Sequence, residues 1–249
     1  MKTDKAPHFF GYQPVEADEK TSRVRDVFSR VAGKYDIMND FMSGGVHRLW
    51  KRSFVARINP QKHHDILDVA GGTGDISFLM YKHSRGANIT VSDINPEMLE
   101  VGKARAADRG LLGKLQWMEA NAETLPFADN SFDVYTIAFG LRNVTHIDKA
   151  LAEAYRVLKP GGRFFCLEFS RPAYEPLRKF YDAYSFKVIP KIGEIVAKDR
   201  DSYQYLVESI RQFPHQQGLK IRLEDAGFKK VKFENFTGGV AAIHSGIKI

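Results

Sequence analysis

Residues 66–75 read Ile-Leu-Asp-Val-Ala-Gly-Gly-Thr-Gly-Asp. An apolar run followed by a glycine turn puts bare backbone N–H groups at a strand end, where a ligand can approach closer than a side chain would allow. Asp93 lies 19 residues past Gly74, at the end of a second apolar run. A carboxylate there accepts two hydrogen bonds from a ribose diol and repels a 2′-phosphate. Gly72, Thr73 and Gly74 fit the first part of the dinucleotide pattern G-x-G-x-x-G, but its third glycine position is Ser77. No Gly-Lys-Ser/Thr follows, so a phosphate-binding P-loop is excluded. The spacing fits a nucleoside without a pyrophosphate. The structural alternative for Asp93 is an Asx turn ahead of Asn95-Pro96.

Other residues could act on whatever lies beside that nucleoside. Asp75 opens the stretch after the loop, and Arg142-Asn143 follows a later apolar run. His47 and Trp50 sit three apart, on one face of a helix or simply in its packing. Tyr181 and Tyr184, near Phe180 and Phe186, form an aromatic stripe that stacks on a ring or fills a core. Lys187, Lys191 and Lys198 among Val188, Ile189, Ile192 and Ile195 make an amphipathic surface suited to a membrane or to solvent.

The elements that must carry these residues alternate. DILDVA (65–70), NITVSD (88–93), FDVYTIAF (132–139) and GRFFCLEF (162–169) are strand-like, with a shorter strand near LQWME (115–119) and helical stretches between. Asn95-Pro96 supplies a cap and an N1 proline, and Gly110 closes that helix. Thr145 and Asp148 resemble a capping box before ALAEAYRVL, which Pro160-Gly161-Gly162 stops. Residues 1–20 read as an extended arm, and Val24, Val27, Phe28 and Val31 recur at helical spacing between Arg23 and Arg57. Residues 174–213 read as helical with a break at Pro190. LKIRLEDAGF is a helix ending at Gly227, and KKVKFENF and GVAAIHSGIKI pair through Thr237-Gly238-Gly239.

This alternation predicts an α/β fold: a doubly wound, mostly parallel seven-stranded sheet with an antiparallel C-terminal hairpin and a helical cover. One domain over 1–249 is expected: N-terminal arm and helices at 1–59, a core at 60–170, an inserted helical cover at 171–213, and a last helix and hairpin at 214–249.

Composition sets outer limits. The 249 residues are 43% hydrophobic and 27% charged, an ordinary globular balance. Cys166 is the only cysteine, so no intrachain disulfide forms and a reducing compartment is expected. The N-terminus has charges but no apolar core, and no run of eighteen apolar residues exists, so neither a signal peptide nor a membrane span is expected. The net charge of +7 suits an anionic partner or solubility alone. No His/Asp/Glu cluster has metal-ligand spacing, so no metal is expected.

Asp-x-Ala-x-Gly-x-Gly at 68–74 with Asp93 resembles the first signature elements of class I S-adenosylmethionine-dependent methyltransferases. NAETLPF (121–127) and VLKPGGRFF (157–165) match the next elements, in order. YDIMNDFMSGGVHRLW (35–50), RVLKPGGRFFCLEFS (156–170), FGLRNV (139–144) and YDAYSFKVIPKIG (181–193) are similar to segments of the ubiquinone/menaquinone biosynthesis C-methyltransferases. That resemblance implies S-adenosyl-L-methionine as cofactor, with Gly72, Thr73, Gly74, Asp93, Asn121, Ala122 and Ala138 around it. Family members often carry serine at Ala138, so one hydrogen bond is absent here.

It also implies a polyprenylated benzoquinol or demethylmenaquinol as acceptor, methylated on a ring carbon. Deprotonating a quinol hydroxyl pushes charge onto the adjacent carbon. Arg142 is expected to stabilise that phenolate or order a water, Asn143 to orient the hydroxyl, and Asp75 to bind the cofactor's amino group or act as base. His47, Tyr181 and Tyr184 are candidate substrate contacts. The implied location is cytoplasmic; peripheral contact with the inner face of a membrane, partners from quinone biosynthesis and a homodimer stay open. No nucleic acid partner is expected: FGLRNV stands where amino-group base methylases carry Asn/Asp-Pro-Pro-aromatic, and Cys166 follows phenylalanine rather than proline. An RNA methylase of another type, another small-molecule O- or N-methyltransferase, and a non-catalytic partner protein are the alternatives.

Overall fold

The computed structural model describes residues 8–32, 39–41, 43–172, 174–192, 194 and 199–249. A small antiparallel pair, β1 (His8–Phe10) and β2 (Gln13–Val15), precedes α1 (Ala17–Val31) and α2 (His47–Ile58). The extended-arm expectation therefore fails from Ala17 onward. Asp18 and Glu19 in the first turn favour the helix N-terminus, and Val24, Val27 and Val31 bury one stripe.

The main sheet comprises β3 (Asp65–Val69), β4 (Asn88–Asp93), β5 (Gln116–Glu119), β6 (Phe132–Ala138), β7 (Leu158–Phe169), β8 (Lys229–Phe236) and β9 (Ala241–Ile247). Its order is β5-β4-β3-β6-β7-β9-β8. The first five strands pair in parallel, whereas β9 runs antiparallel to both neighbours. The order reverses beside β3, where open α/β sheets place ligands at the carboxyl edge. Two helices follow the first two core strands, α3 (Asp75–Ser84) and α4 (Pro96–Asp108), and α5 (Ile147–Val157) precedes β7.

Beyond β7, α6 (Glu175–Ala183) passes through a π-helical turn (Tyr184–Val188) into α7 (Ile189–Ile192). The break expected at Pro190 is absent. The wide turn just before it makes room for a ring that would otherwise meet the carbonyl four residues back. Ile195 and Lys198 lie outside the described residues. Then come α8 (Arg200–Gln212) and α9 (Gln216–Asp225).

Strand alternation divides the core in two. Ile66, Val134, Phe165 and Leu167 face a layer containing α1, α2, α3 and α8. Leu67, Val69, Tyr135, Phe164 and Cys166 face α5 and α9. The expected capping box at Thr145 is replaced: α5 begins after His146, and the Glu123 carboxylate accepts the Thr145 and His146 amides at 3.0 and 2.9 Å. Thr145 Oγ1 instead pairs with Thr21 Oγ1 at 3.0 Å. A long-range acid thus satisfies N–H groups that a local side chain was expected to cap. Asn95 caps α4 as expected, accepting from the amides of Glu97 and Met98.

Candidate active site

A cavity of about 1050 Å³, open to solvent, lies at the carboxyl ends of β3, β4 and β6. Of the sequence-predicted residues, Gly72, Thr73, Asp75, Asp93, Asn121, Ala122, Ala138 and Asn143 line it. Val24 and Phe28 of α1 and Lys51 of α2 bring the N-terminal helices onto it. Gly74 does not line it. Its φ of 81° makes the tight turn into α3, and an added Cβ would stand 2.8 Å from the Trp117 ring. The geometry seen here is that of a turn and a packing contact.

Asp93 holds the loop. Its Oδ2 accepts the Gly72 amide at 3.0 Å, and its Oδ1 accepts the Asn95 amide at 2.9 Å. The Asx turn to Asn95 is real, and it shares the carboxylate with the cavity. Burial pushes Asp93 up to about 6 despite those amides. Asp68, on the neighbouring strand β3 opposite Val91, is fully buried between the Ser77 hydroxyl (2.6 Å) and the Thr136 hydroxyl (2.7 Å), and burial raises it to about 6 as well. The residues suit an adenosyl group: a Cβ at position 72 would project into the cradle, 3.0 Å from Met98 Cε and 3.6 Å from Asp93 Oδ2. The acid beside that cradle offers acceptors to a diol.

Two loops meet at the cavity's inner wall. At Gly140, an added Cβ would lie 2.4 Å from Ala70 Cβ, so only glycine permits the approach. Phe139 before it has φ 57°, a left-handed conformation costly for a bulky residue. It is clamped on both sides. Its amide donates to Leu167 O at 2.8 Å. Its carbonyl accepts Arg142 Nη1 at 2.7 Å and Asn143 Nδ2 at 3.4 Å.

Arg142 itself is buried behind this wall and is absent from the cavity lining. Its Nη1 donates to Glu168 Oε1 at 2.6 Å, and Glu168 also accepts the amides of Arg142 (3.3 Å) and Phe169 (2.8 Å). Burial raises the Glu168 carboxyl, and Arg142 opposes that. The geometry gives Arg142 a protein carboxylate where the sequence led one to expect the acceptor. Asn143 does face the cavity, and its Oδ1 accepts the Tyr205 hydroxyl at 2.9 Å. The Phe139 carbonyl, which can only accept, fixes which way the amide points, with Nδ2 on its side and Oδ1 toward Tyr205.

Asp75 sits between two cations: Lys51 Nζ is 2.8 Å from its Oδ2, and Arg105 is 3.2 Å from its Oδ1. Lys51 is buried, and with Asp75 it forms the cavity's charged corner. His47, Tyr181 and Tyr184 are not brought to the cavity. His47 Nε2 pairs with Asp40 at 2.9 Å, and burial lowers its pKa. Tyr181 lies under the Arg211 guanidinium, and burial pushes its hydroxyl up to about 12. Tyr184 donates to Phe41 O at 2.8 Å. Trp50 donates to Thr237 Oγ1 at 3.0 Å and packs on Phe169, the packing alternative for that pair.

Lys51, Glu123, Glu168 and Tyr205 received no role from the sequence. Glu168 carried a signal: an acid inside a buried apolar strand needs a partner. The others had none, because their partners lie 22 to 62 residues away.

The strand order, the antiparallel last strand and the acid ending β4 define the Rossmann-like fold of the methyltransferase class. Solved structures share that fold. A SAM-dependent methyltransferase from Thermotoga maritima superposes with a TM-score of 0.65 at 20% identity, covering 91% of this chain and 100% of that one. The [4+2]-cyclase SpnF gives 0.68 at 17% identity, covering 92% and 96%. The chain belongs to the ubiE/COQ5 methyltransferase family, whose model matches residues 16–248. It is 58% identical to the ubiquinone/menaquinone biosynthesis C-methyltransferase UbiE of Brucella suis biovar 1, over 97% of this chain and 91% of that protein. The UbiE of Brucella anthropi is 56% identical over 97% and 93%.

Proposed function

We propose that this methyltransferase uses S-adenosyl-L-methionine to methylate a ring carbon of a polyprenylated benzoquinol or demethylmenaquinol. The observation that carries the reading is 58% identity to UbiE over 97% of the chain, joined to a cavity with an adenosyl-compatible cradle. When bound, the cofactor supplies an electrophilic methyl on a sulfonium whose departure leaves a neutral thioether. No oxyanion hole is needed for that leaving group, and alignment carries much of the rate, on the order of 7–11 kcal/mol in well-oriented systems.

Asp93 accepts the ribose hydroxyls and Gly72 lets the ribose approach. Lys51 offers its ammonium to the cofactor's carboxylate, and Asp75 accepts from its amino group while keeping Lys51 in place. Asn121 and Ala122 border the adenine from the β5 side. Ala138 and Phe139 form the wall against which the acceptor ring approaches. Asn143, held by Tyr205, donates from Nδ2 to a quinol oxygen and favours the phenolate that makes the neighbouring carbon nucleophilic. The hydroxyl proton passes to water; the methyl's carbon–sulfur bond breaks as the new carbon–carbon bond forms, and the ring C–H proton then passes to water, which restores the aromatic ring before its oxygen is reprotonated. Arg142 holds Phe139 and Glu168 in position and does not touch the acceptor. The acceptor's tail keeps it in a bilayer, so the enzyme meets it from the cytoplasmic side, as a peripheral protein.

The test is incubation of the pure protein with methyl-labelled cofactor and each demethylated quinol, reduced and oxidised. Transfer to the reduced ring carbon only is expected. Equal labelling of quinol and quinone contradicts the phenolate route, and label on oxygen contradicts carbon methylation.

A further inference from the structure

Outside the cofactor cavity, α2, α3 and α4 frame a second concavity, a groove of about 1640 Å³ open to solvent. It touches the first at Lys51 and Asp75, which line both. Its walls carry seven lysine and arginine side chains against a single carboxylate. Part of that charge is answered: Asp75 takes Lys51 and Arg105, and Asp40 takes Arg48. Among the described residues, no carboxylate lies within ion-pair distance of Arg52, Lys82, Arg85 or Arg109, although Arg109 rests on the Phe78 ring at 4.4 Å. The floor between them is apolar, made by Phe78, Leu79 and Leu111. Two leucines stand out beside it: Leu49, next to Arg48, is 60% exposed, and Leu112, next to Leu111, is 74% exposed.

We propose that this face is where the protein docks on a bilayer, its unanswered cations taking the phosphates of anionic phospholipids and Leu49 and Leu112 entering the headgroup boundary. Charge complementarity selects the occupant. Four cations spread around an open groove match an array of phosphodiesters better than one small anion, which would sit in a closed nest of donors. Paired exposed leucines add the apolar part that surface-bound proteins use, and an acidic protein would not need them. The inference rests on the quinol reading only for its purpose, a tail-bearing acceptor held in lipid. Because the groove adjoins the cofactor cavity at Lys51, docking here would bring the bilayer within reach of the methyl-transfer site. Its residues are not those of the Lys187, Lys191 and Lys198 surface that the sequence offered as a membrane contact.

Sedimentation of the full chain with vesicles tests this without any turnover, so a failure of methyl transfer would leave the readout standing. Wild type is expected to bind phosphatidylglycerol-rich vesicles, to release them as salt rises, and to ignore pure phosphatidylcholine. Arg52→Ala/Lys82→Ala/Arg85→Ala should weaken binding on the order of a hundredfold. Removing the same charge from the edge strand β8, as Lys229→Ala/Lys230→Ala/Lys232→Ala, should change it less than about twofold, since net charge alone is not the cause. Circular dichroism and cofactor affinity, unchanged in both variants, would show that each is folded. Leu112→Ser should weaken binding at fixed charge. Equal binding to both lipids, no binding by wild type, or equal losses from the two triple variants would each overturn the proposal; the second would leave an acidic protein as the groove's occupant.

Discussion

Arg142→Ala puts the buried clamp at the cavity wall to the test. The substitution removes the partner of Glu168, a residue only 1% exposed, and the donor holding the Phe139 carbonyl in its left-handed turn. Breaking a buried pair by deleting one partner costs about 3–5 kcal/mol, because an uncompensated charge is left in a low-dielectric interior. A chain of this size loses about 2–4 °C of melting temperature per kcal/mol, so the expected fall is about 6–20 °C. The second readout is cofactor affinity by calorimetry. Phe139 and Gly140 form the wall of the cofactor cavity, so loosening them should weaken binding as well as turnover. Replacing both partners, as Arg142→Met/Glu168→Leu, should recover much of the lost stability, since no charge is then stranded. A variant that melts within about 1 °C of wild type, binds cofactor normally and has lost turnover would refute the clamp and return Arg142 to the chemistry.

Other outcomes follow from the same geometry. Asp93→Ala should weaken cofactor binding at least about tenfold, read by calorimetry, since a ribose diol loses a charged acceptor. In wild type, the folded-state pKa of about 6 means that the ionised, diol-accepting form dominates above that pH. Affinity should therefore fall by up to about tenfold per pH unit below 6, and Asp93→Asn should flatten that slope. Asp68 titrates near 6 folded and near 3.9 unfolded, so burial favours its protonated form. Its stability contribution is complete below about pH 4 and lost as pH rises through about 6, a change of roughly 3 kcal/mol. Comparing chemical denaturation of wild type and Asp68→Asn at pH 5 and 7.5 should show the variant losing less. Gly140→Ala forces a Cβ to within 2.4 Å of Ala70 and should cost about 1–3 kcal/mol and weaken cofactor binding.

The parallel core could be read from residue types because its signals are local. Each strand is an apolar run of the right length, and Asn95-Pro96 announces its helix within three residues. The glycine loop and Asp93 were readable for the same reason: the turn and the strand end are fixed by their own neighbours. The opposite holds for the charged framework. Lys51 meets Asp75 across 24 positions, and Arg142 meets Glu168 across 26, so nothing near either residue names its partner. That is why Arg142 read as a substrate contact: a lone cation at the right sheet edge has the same sequence signature whether it faces a ligand or a buried acid. Gly74 misled similarly, since a glycine demanded by Trp117 packing looks like one demanded by a ligand.

The π-helical turn at Tyr184–Val188 fixes a phase. A π turn holds about one residue more than an α turn, so the wider turn absorbs a surplus residue and lets the buried Tyr181 before it and the buried Ile189 after it face inward together. Deleting a single residue from 184–188 would let that turn close as an α turn with the two side chains still in phase, whereas inserting one would swing everything downstream through about 100° and turn Ile189 outward. This stretch should tolerate the loss of one residue far better than the gain of one.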